Sequence, residues 1–385
     1  MKILQYCQHV LGIGHFFRTL EILRTFKGHE VILVTGGAEV DVDMPEHVRE
    51  IRLPALMMDA QFKGLKTGGD PRSLEDVKTV RSRMLVDVFS QTAPDVFILE
   101  LYPFGRRSFA FEINPVLEGI RSGTLPSAMV VCSLRDILVE REKTQKYENG
   151  VLKILNAYFD ALMVHSDPQL FRLEESFSRI DAFSVPLVYT GFIAPQPRPD
   201  ARTAIRKQLD IGDDERLFVA SAGSGAVGAP LLEAVQRAFK RFFPEPGSRL
   251  LLFAGPFLPE EDYLKLVQTK DPRIRVSRFS ADFLSFLAAA DLSISMAGYN
   301  TCMNILAAEV PALVWPFVQN REQRCRAERL ASIGALTVLE DEDLQPNVLA
   351  DRMQAAMSRG YRLTQSVNLD GAAHTARWLL QQKKN

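Results

Sequence analysis

Cysteine is scarce: 385 residues hold four, Cys7, Cys132, Cys302 and Cys325, far apart in the chain. None forms a Cys-x-x-Cys pair and no histidine stands at zinc-ligand spacing, so neither a structural zinc site nor a disulfide framework is expected. Buried thiols in a reducing compartment are the reading that remains, with Cys7 and Cys132 placed at strand ends. No run approaches the roughly 18 consecutive apolar residues of a membrane span. Met1-Lys2 leads straight into a strand-like segment, without the cationic and apolar regions of a secretory leader, so a soluble, cytoplasmic protein is expected. Neither sign of charge dominates. With 46 Lys+Arg against 47 Asp+Glu the net charge is −1, which offers no electrostatic footprint for nucleic acid and no general pull toward an anionic membrane. No repeat of solenoid period is visible.

What the chain does have is apolar content, 46% of its residues. Single cores stop growing at roughly 250 to 300 residues, so this length predicts two domains. Apolar runs of strand length at Lys2–Tyr6, Glu30–Thr35, Val96–Leu99, Ala128–Cys132 and Ala161–His165 alternate with amphipathic stretches, the pattern of parallel βαβ units. After Val188–Phe192 comes a proline-rich connector, Ile193-Ala-Pro-Gln-Pro-Arg-Pro199. The alternation then restarts at Leu217–Ala220, Arg249–Phe253, Ile274–Val276, Leu292–Ser295 and Ala312–Trp315. The expected organisation is α/β: a Rossmann-like domain over 1–192, a linker at 193–202, a second over 203–360, and a closing segment 361–385 whose helix returns to the first domain. Both sheets are parallel, the two domains face each other, and the active site is expected in the cleft between them.

Three loops stand where such sheets carry ligands, at the carboxyl ends of strands. Gly12-Ile-Gly-His15 follows the first strand. Phe17 occupies the place of a third glycine, so this is not a dinucleotide fingerprint, and His15 reads as a chemical group: an imidazole near pKa ~6.5 is partly neutral at cytoplasmic pH and can act as a base. A capping or packing histidine is the alternative. Glu100 and Asp136, at the ends of other strands of the same sheet, are candidates to orient it. Ser221-Ala-Gly-Ser-Gly-Ala-Val-Gly228 follows the first strand of the second domain. It lacks the Lys-Ser/Thr of a Walker sequence, yet Gly223, Ser224 and Gly225 permit backbone amides to approach a phosphate; a plain connector is the alternative. Met296-Ala-Gly-Tyr-Asn-Thr301 turns from a strand into a helix that runs to Pro311, with Asn300 or Thr301 as its cap. Gly298, Tyr299, Asn300 and Thr301 would meet a diphosphate at the positive end of that helix.

The Gly-x-Gly-His-x-x-Arg start and Ala-Gly-Tyr-Asn-Thr with Arg321-Glu-Gln323 resemble bacterial glycosyltransferases of the two-Rossmann-domain (GT-B) class, close to the MurG-like group; with Arg135-Asp-Ile-Leu138 they most resemble a bacterial family of predicted glycosyltransferases. Residues 40 to 90 match least. The resemblance implies inverting, metal-independent transfer of a sugar from a nucleotide-sugar donor, a UDP-sugar being the expected one, to an acceptor hydroxyl or amine. It implies His15 as base with Gly14 and Arg18 on the acceptor side. Phe279 and Ser280 would lie at the nucleobase, and Glu322 and Gln323 at the donor sugar, with Arg321 or Arg326 available to the diphosphate. Phe279 also reads as core.

Asn304 departs from the pattern. The resembling enzymes place a glutamate there for the ribose hydroxyls, whereas an amide offers one acceptor oxygen, which leaves the nucleobase open. No cofactor beyond the co-substrate is expected, and no metal: Asp41-Val-Asp43 lies in a loop away from the diphosphate site, and Glu340-Asp-Glu-Asp343 reads as a solvated turn. Leu56-Met-Met58, Phe62–Lys66 and Arg81-Ser-Arg83 mix apolar and basic residues, a patch that could touch a membrane at a lipid-linked acceptor or be an ordinary amphipathic surface. A nucleotide-sugar hydrolase and a non-catalytic sugar-nucleotide-binding protein are the competing readings.

Overall fold

The computed structural model describes residues 1–9, 14–37, 39, 42–58, 64–138, 144–225, 227–244 and 246–382. The chain forms two compact units, Met1–Ile193 with Asn368–Asn385, and Ala194–Val367. The first contains β1 (Lys2–Cys7), α1 (Gly14–Arg24), β2 (Glu30–Thr35), β3 (Val48–Arg52), β4 (Leu56–Met58), β5 (Leu65–Thr67), α2 (Leu74–Thr92), β6 (Val96–Glu100), α3 (Ala110–Ser122), β7 (Met129–Arg135), α4 (Thr144–Tyr158), β8 (Ala161–His165) and β9 (Leu187–Tyr189). The second contains α5 (Ala201–Gln208), β10 (Arg216–Ser221), α6 (Ala229–Phe242), β11 (Ser248–Phe253), α7 (Glu260–Val267), β12 (Ile274–Ser277), α8 (Phe283–Ala289), β13 (Leu292–Met296), α9 (Tyr299–Ala308), β14 (Ala312–Trp315), α10 (Arg321–Ser332), β15 (Thr337–Val338) and α11 (Pro346–Arg359). The chain then returns to the first unit as α12 (Gly371–Gln382).

The strands of the first sheet run in the order β3-β2-β1-β6-β7-β8-β9, all parallel. Period-two alternation divides their side chains between two cores. Leu4, Tyr6, Phe97, Leu99, Val130 and Val164 meet Val77, Phe89, Val116 and Val151 from α2, α3 and α4. Ile3, Leu33, Ile98, Val131 and Met163 meet Phe16, Leu20 and Leu23 of α1 and Ala376 and Leu379 of α12. The i, i+4, i+7 spacing of Phe16, Leu20 and Leu23 is what makes α1 a cover for this second face. The end of α12 is knitted in by backbone bonds: Phe192 N–H donates to Asn368 O at 2.8 Å and Gly371 N–H to Phe192 O at 2.9 Å.

The second sheet has the order β12-β11-β10-β13-β14-β15, again parallel. Each sheet therefore reverses its direction of growth beside its first strand, between β1 and β6 and between β10 and β13. The crevice outside the strand ends at such a point is where α/β proteins hold ligands.

Several features depart from the sequence reading. The β4–β5 hairpin and the edge strands β3 and β15 were not expected; β3 reads Val-Arg-Glu-Ile-Arg, too polar to stand out, and is a strand because β2 offers it a paired edge. Cys132 lies within β7 rather than at its end. The helix after Gly298 ends at Ala308, and its N-cap is Gly298 itself. The acidic turn is a short 3-10 helix in which Asp343 is buried and accepts from Arg352 Nε at 3.0 Å.

Arg81 is the clearest correction, since it is no surface cation. Its guanidinium is fully buried, and each of its five N–H groups has an acceptor: Nε to Glu112 Oε2 at 2.7 Å, Nη2 to Glu112 Oε1 at 2.6 Å and Gln8 Oε1 at 2.7 Å, Nη1 to Gly36 O at 3.0 Å and Pro54 O at 2.6 Å. Tyr6 also donates to Glu112. The network ties α2 and α3 to the chain just past β1, β2 and β3. Leu56 is buried as well, and Phe62 and Lys63 lie outside the described residues.

Removing one partner of such a pair strands the other charge, so Arg81→Met is expected to cost the first unit about 3 to 5 kcal/mol. Adding Glu112→Leu should recover part of the loss. Urea denaturation followed by circular dichroism measures both, and a loss below about 1 kcal/mol for the single variant would contradict the network.

Candidate functional site

At the switch point of the first sheet, Glu100 ends β6 with its side chain on the α1/α12 face and wholly buried. A bare carboxylate there would be costly, and three neighbours meet it. His15 Nδ1 lies 3.0 Å from Oε1, Arg18 donates to the same oxygen, and Ser133 Oγ donates to Oε2 at 2.8 Å. Burial alone would raise the carboxyl pKa, but the charge of Arg18 and the bond from His15 hold it well below the usual carboxylate range. Glu100 is therefore ionised and accepts only.

His15 is shifted the other way. Burial first, then the charges of Arg106 and Arg18, lower its pKa to about 3 against the opposing bond to Glu100. Its side chain is 18% exposed. A neutral imidazole donating Nδ1–H to an ionised carboxylate has its Nε2 lone pair available, the arrangement a general base needs. Gly12 and Ile13 lie outside the described residues, whereas Gly14 opens α1. Arg18, assigned to the acceptor side on the resemblance, is 3% exposed and holds Glu100. Asp136 is buried one residue past β7; Glu100 is the carboxylate that meets the imidazole.

The same face carries residues the sequence reading passed over. Ser133 Oγ lies 2.8 Å from His165 Nε2, and His165 Nδ1 lies 2.8 Å from Thr190 Oγ1. The signal was present: β6, β7 and β8 are apolar strands with a polar residue near their carboxyl ends on one face, Glu100, Ser133 and His165, with Arg135 following Ser133 on β7. Burial, with the charge of Arg18, lowers the pKa of His165 to about 3.

In the second unit the two turns at the switch point come together. A Cβ built on either Gly223 or Gly298 would meet nothing nearer than the Thr301 hydroxyl, at 3.9 Å in both cases. Open space thus lies beside both glycines and Thr301. Gly298 has no side chain to accept from the first turn of α9, so the positive end of that helix bears on this space. Gly223 is left-handed, φ +64°, and its N–H donates to Ser221 Oγ at 3.0 Å. Gly225, φ +94°, is a packing glycine, because a Cβ there would lie 2.5 Å from Ala254 O. Ser224 accepts through its carbonyl from Phe257 N–H at 3.0 Å.

Tyr299 is buried with the Arg326 guanidinium 5.4 Å from its ring centroid; Asn300 and Asn304, one helical turn apart on α9, are half-buried. Glu322 is buried and paired with Arg326, Oε1 to Nη2 2.7 Å, and Arg326 is wholly inaccessible. Gln323 caps the end of β14, its Oε1 accepting from Phe317 N–H at 3.1 Å. Phe279 is 44% exposed, so it is not core, and the neighbouring Ser280 Oγ accepts from Asp282 N–H at 3.1 Å. Asp41 lies outside the described residues. Among the described residues no three His, Cys, Asp or Glu side chains are grouped for a metal, and no helix is long and apolar enough to cross a membrane.

Comparisons with known proteins agree with this architecture. Residues 223–374 match the glycosyltransferase family 28 C-terminal domain. The chain is 28% identical over 183 residues to a UDP-N-acetylglucosamine–N-acetylmuramyl-(pentapeptide) pyrophosphoryl-undecaprenol N-acetylglucosamine transferase of Acetivibrio thermocellus, a match that covers 46% of this chain and 49% of that one. It thus spans about half the length of the curated relatives it matches. Among solved structures, MurG of Acinetobacter baumannii superposes with a TM-score of 0.59 at 15% identity, over 99% of this chain and 100% of that one. A UDP-GlcNAc 2-epimerase of Methanocaldococcus jannaschii gives 0.62 at 10% identity, over 99% and 100%. The fold is GT-B, as the resemblance implied, and residues 223–374, most of them in the second unit, are similar to the family 28 C-terminal domain.

The open space at Gly298 separates binding from stability. Serine is a better N-cap than glycine, so Gly298→Ser should leave the second unit as stable or slightly more so. Its hydroxyl would compete for the amides a phosphate needs, and affinity for UDP should fall about tenfold by calorimetric titration. Unchanged affinity would mean that the diphosphate does not bind there. Gly225→Ala should instead lower stability.

The two depressed histidines set a pH dependence. An unfolded histidine titrates near ~6.5, so below that the unfolded chain binds more protons than the folded one, and stability falls as pH drops toward 3. The slope is at most about 1.4 kcal/mol per pH unit for each histidine. Thermal denaturation at pH 7 and pH 5 should show a smaller loss for His165→Gln, which lacks one of these groups; equal losses would contradict a buried neutral His165.

Proposed function

We propose that this chain, with its GT-B fold and family 28 domain, is a glycosyltransferase that moves a sugar from a nucleotide-sugar donor to an acceptor hydroxyl or amine. The observation that carries the reading is the neutral His15 held by an ionised, buried Glu100. A plain nucleotide-binding module has no need of a base. His15 Nε2 takes the acceptor proton as its oxygen or nitrogen attacks the anomeric carbon; Glu100 stabilises the resulting imidazolium and keeps its own charge. The nucleoside diphosphate leaves in the same displacement, which inverts the anomeric centre.

The departing charge falls to the amides around Gly223 and Gly298, the Thr301 hydroxyl and the positive end of α9, so no metal is required for it. The exposed Phe279 ring offers a stacking face for a base, and Asn304 offers a single acceptor oxygen to the ribose. Similarity to transferases named for UDP-N-acetylglucosamine supports a UDP-sugar donor, and their pyrophosphoryl-undecaprenol substrate supports a lipid-linked acceptor reached from the cytoplasmic side. The four cysteines, none of them in a disulfide, suit that reducing compartment.

His15→Ala should lower kcat by about 10² to 10⁴ while leaving UDP affinity nearly unchanged. Release of UDP from a panel of UDP-sugars, measured with and without acceptors, supplies the rate, and calorimetry supplies the affinity. Near-normal turnover in the variant would refute the base. Full turnover on donor alone would make the protein a hydrolase.

A further inference from the structure

We infer that Ser133 and His165 are positioning residues that lock the Glu100 carboxylate onto His15, through a one-way chain of hydrogen bonds anchored at Thr190. The inference rests on the reading of His15 as the base. Its geometry is a row of side chains across the carboxyl ends of adjacent strands: Glu100 on β6, Ser133 on β7, His165 on β8, and Thr190 just past β9.

Donor and acceptor accounting gives the row a direction. Glu100 is ionised and cannot donate, so the single Ser133 hydroxyl proton goes to Oε2 at 2.8 Å. Ser133 Oγ must then accept from His165, 2.8 Å away, which fixes that ring as the Nε2–H tautomer. Its Nδ1 is left as an acceptor, and Thr190 Oγ1, also at 2.8 Å, supplies the proton. Thr190 is itself held, because its carbonyl accepts from His374 Nδ1 of α12 at 2.8 Å. The charged groups that face the two rings are Glu100 and Arg18 for both, with Arg106 for His15.

The consequence falls on the other end of the carboxylate. His15 Nδ1 has two neighbours, Glu100 Oε1 at 3.0 Å and an Arg18 Nη2 donor at 3.2 Å; with Oε2 engaged by Ser133, Oε1 stays at Nδ1 and takes its proton in preference to the arginine contact. The row therefore selects the tautomer of the base and keeps Nε2 for the substrate. Without the Ser133 donor the carboxylate can turn away from Nδ1, and the Arg18 N–H beside that nitrogen then favours the opposite tautomer.

The test is nitrogen-15 NMR of the histidine rings in the full-length protein, read beside turnover. Wild type should show His15 as the Nδ1–H and His165 as the Nε2–H tautomer, both neutral at pH 7, with His15→Ala and His165→Gln used for assignment. Ser133→Ala, a small change that keeps the Cβ, should shift the His15 nitrogens toward a mixture of tautomers and lower kcat by about three- to tenfold at unchanged donor KM. His165→Asn, which cannot reach Ser133 with a donor, should act like Ser133→Ala. His165→Gln, whose amide nitrogen falls near the place of Nε2, should restore the His15 signals and most of the rate. Unaltered His15 nitrogens in both Ser133→Ala and His165→Asn, or an Nδ1–H tautomer at His165, would overturn the inference. A tautomer shift with unchanged kcat would uphold the row and refute His15 as the base.

Discussion

A negative charge buried at Glu100 is the constraint on which the first unit's chemistry depends. An uncompensated carboxylate there would protonate, so its ionisation requires Arg18 on α1, Ser133 on β7 and His15 at the start of α1 to converge on two oxygens. Because those groups sit on different elements, helix α1 must dock at one angle and the strand register must be held. Glu100 pairs directly with Ser133 in the sheet, which is how the hydroxyl comes to lie beside the carboxylate.

Other buried polar groups guard that register. The Arg81–Glu112 network joins α2 and α3 to the residues just past the first three strands, where a slip of one residue would turn every core side chain to the wrong face. The return of α12 adds Ala376 and Leu379 to the apolar core on the face that carries Glu100, Ser133 and His165. The second unit uses a different device. Its switch point is lined by glycines and a helix end rather than by titratable groups, suited to an anion that arrives with the ligand. Under the proposed function, base chemistry and phosphate chemistry are divided between two sheets that share one strand order around the switch point.

Several residues singled out in the sequence are held by contacts within the protein. Arg81 reads as part of a basic surface because sequence shows its charge but not the carboxylate on α3 that meets it. Glu322 is tied to Arg326, and Gln323 caps a turn, so both are held in place by the protein before any sugar arrives. Phe279 moved in the other direction: core and surface were both open to it, and its exposure decides for surface.

The sequence alone determined the α/β class, the two-part organisation, the loops at strand ends and the place of His15 beside one of them, because those follow from short-range periodicity, glycine placement and local motif. It also contained Glu100, Ser133 and His165 as polar residues toward the carboxyl ends of apolar strands, though nothing local says that they touch. Only the tertiary structure decided that Glu100 rather than Asp136 meets the imidazole, that Arg18 faces inward, and that the row continues to Thr190. Those pairings join residues 15, 100, 133, 165 and 190. They are set by strand order and register, which arise from packing over the whole sheet and leave no trace in any single window of sequence.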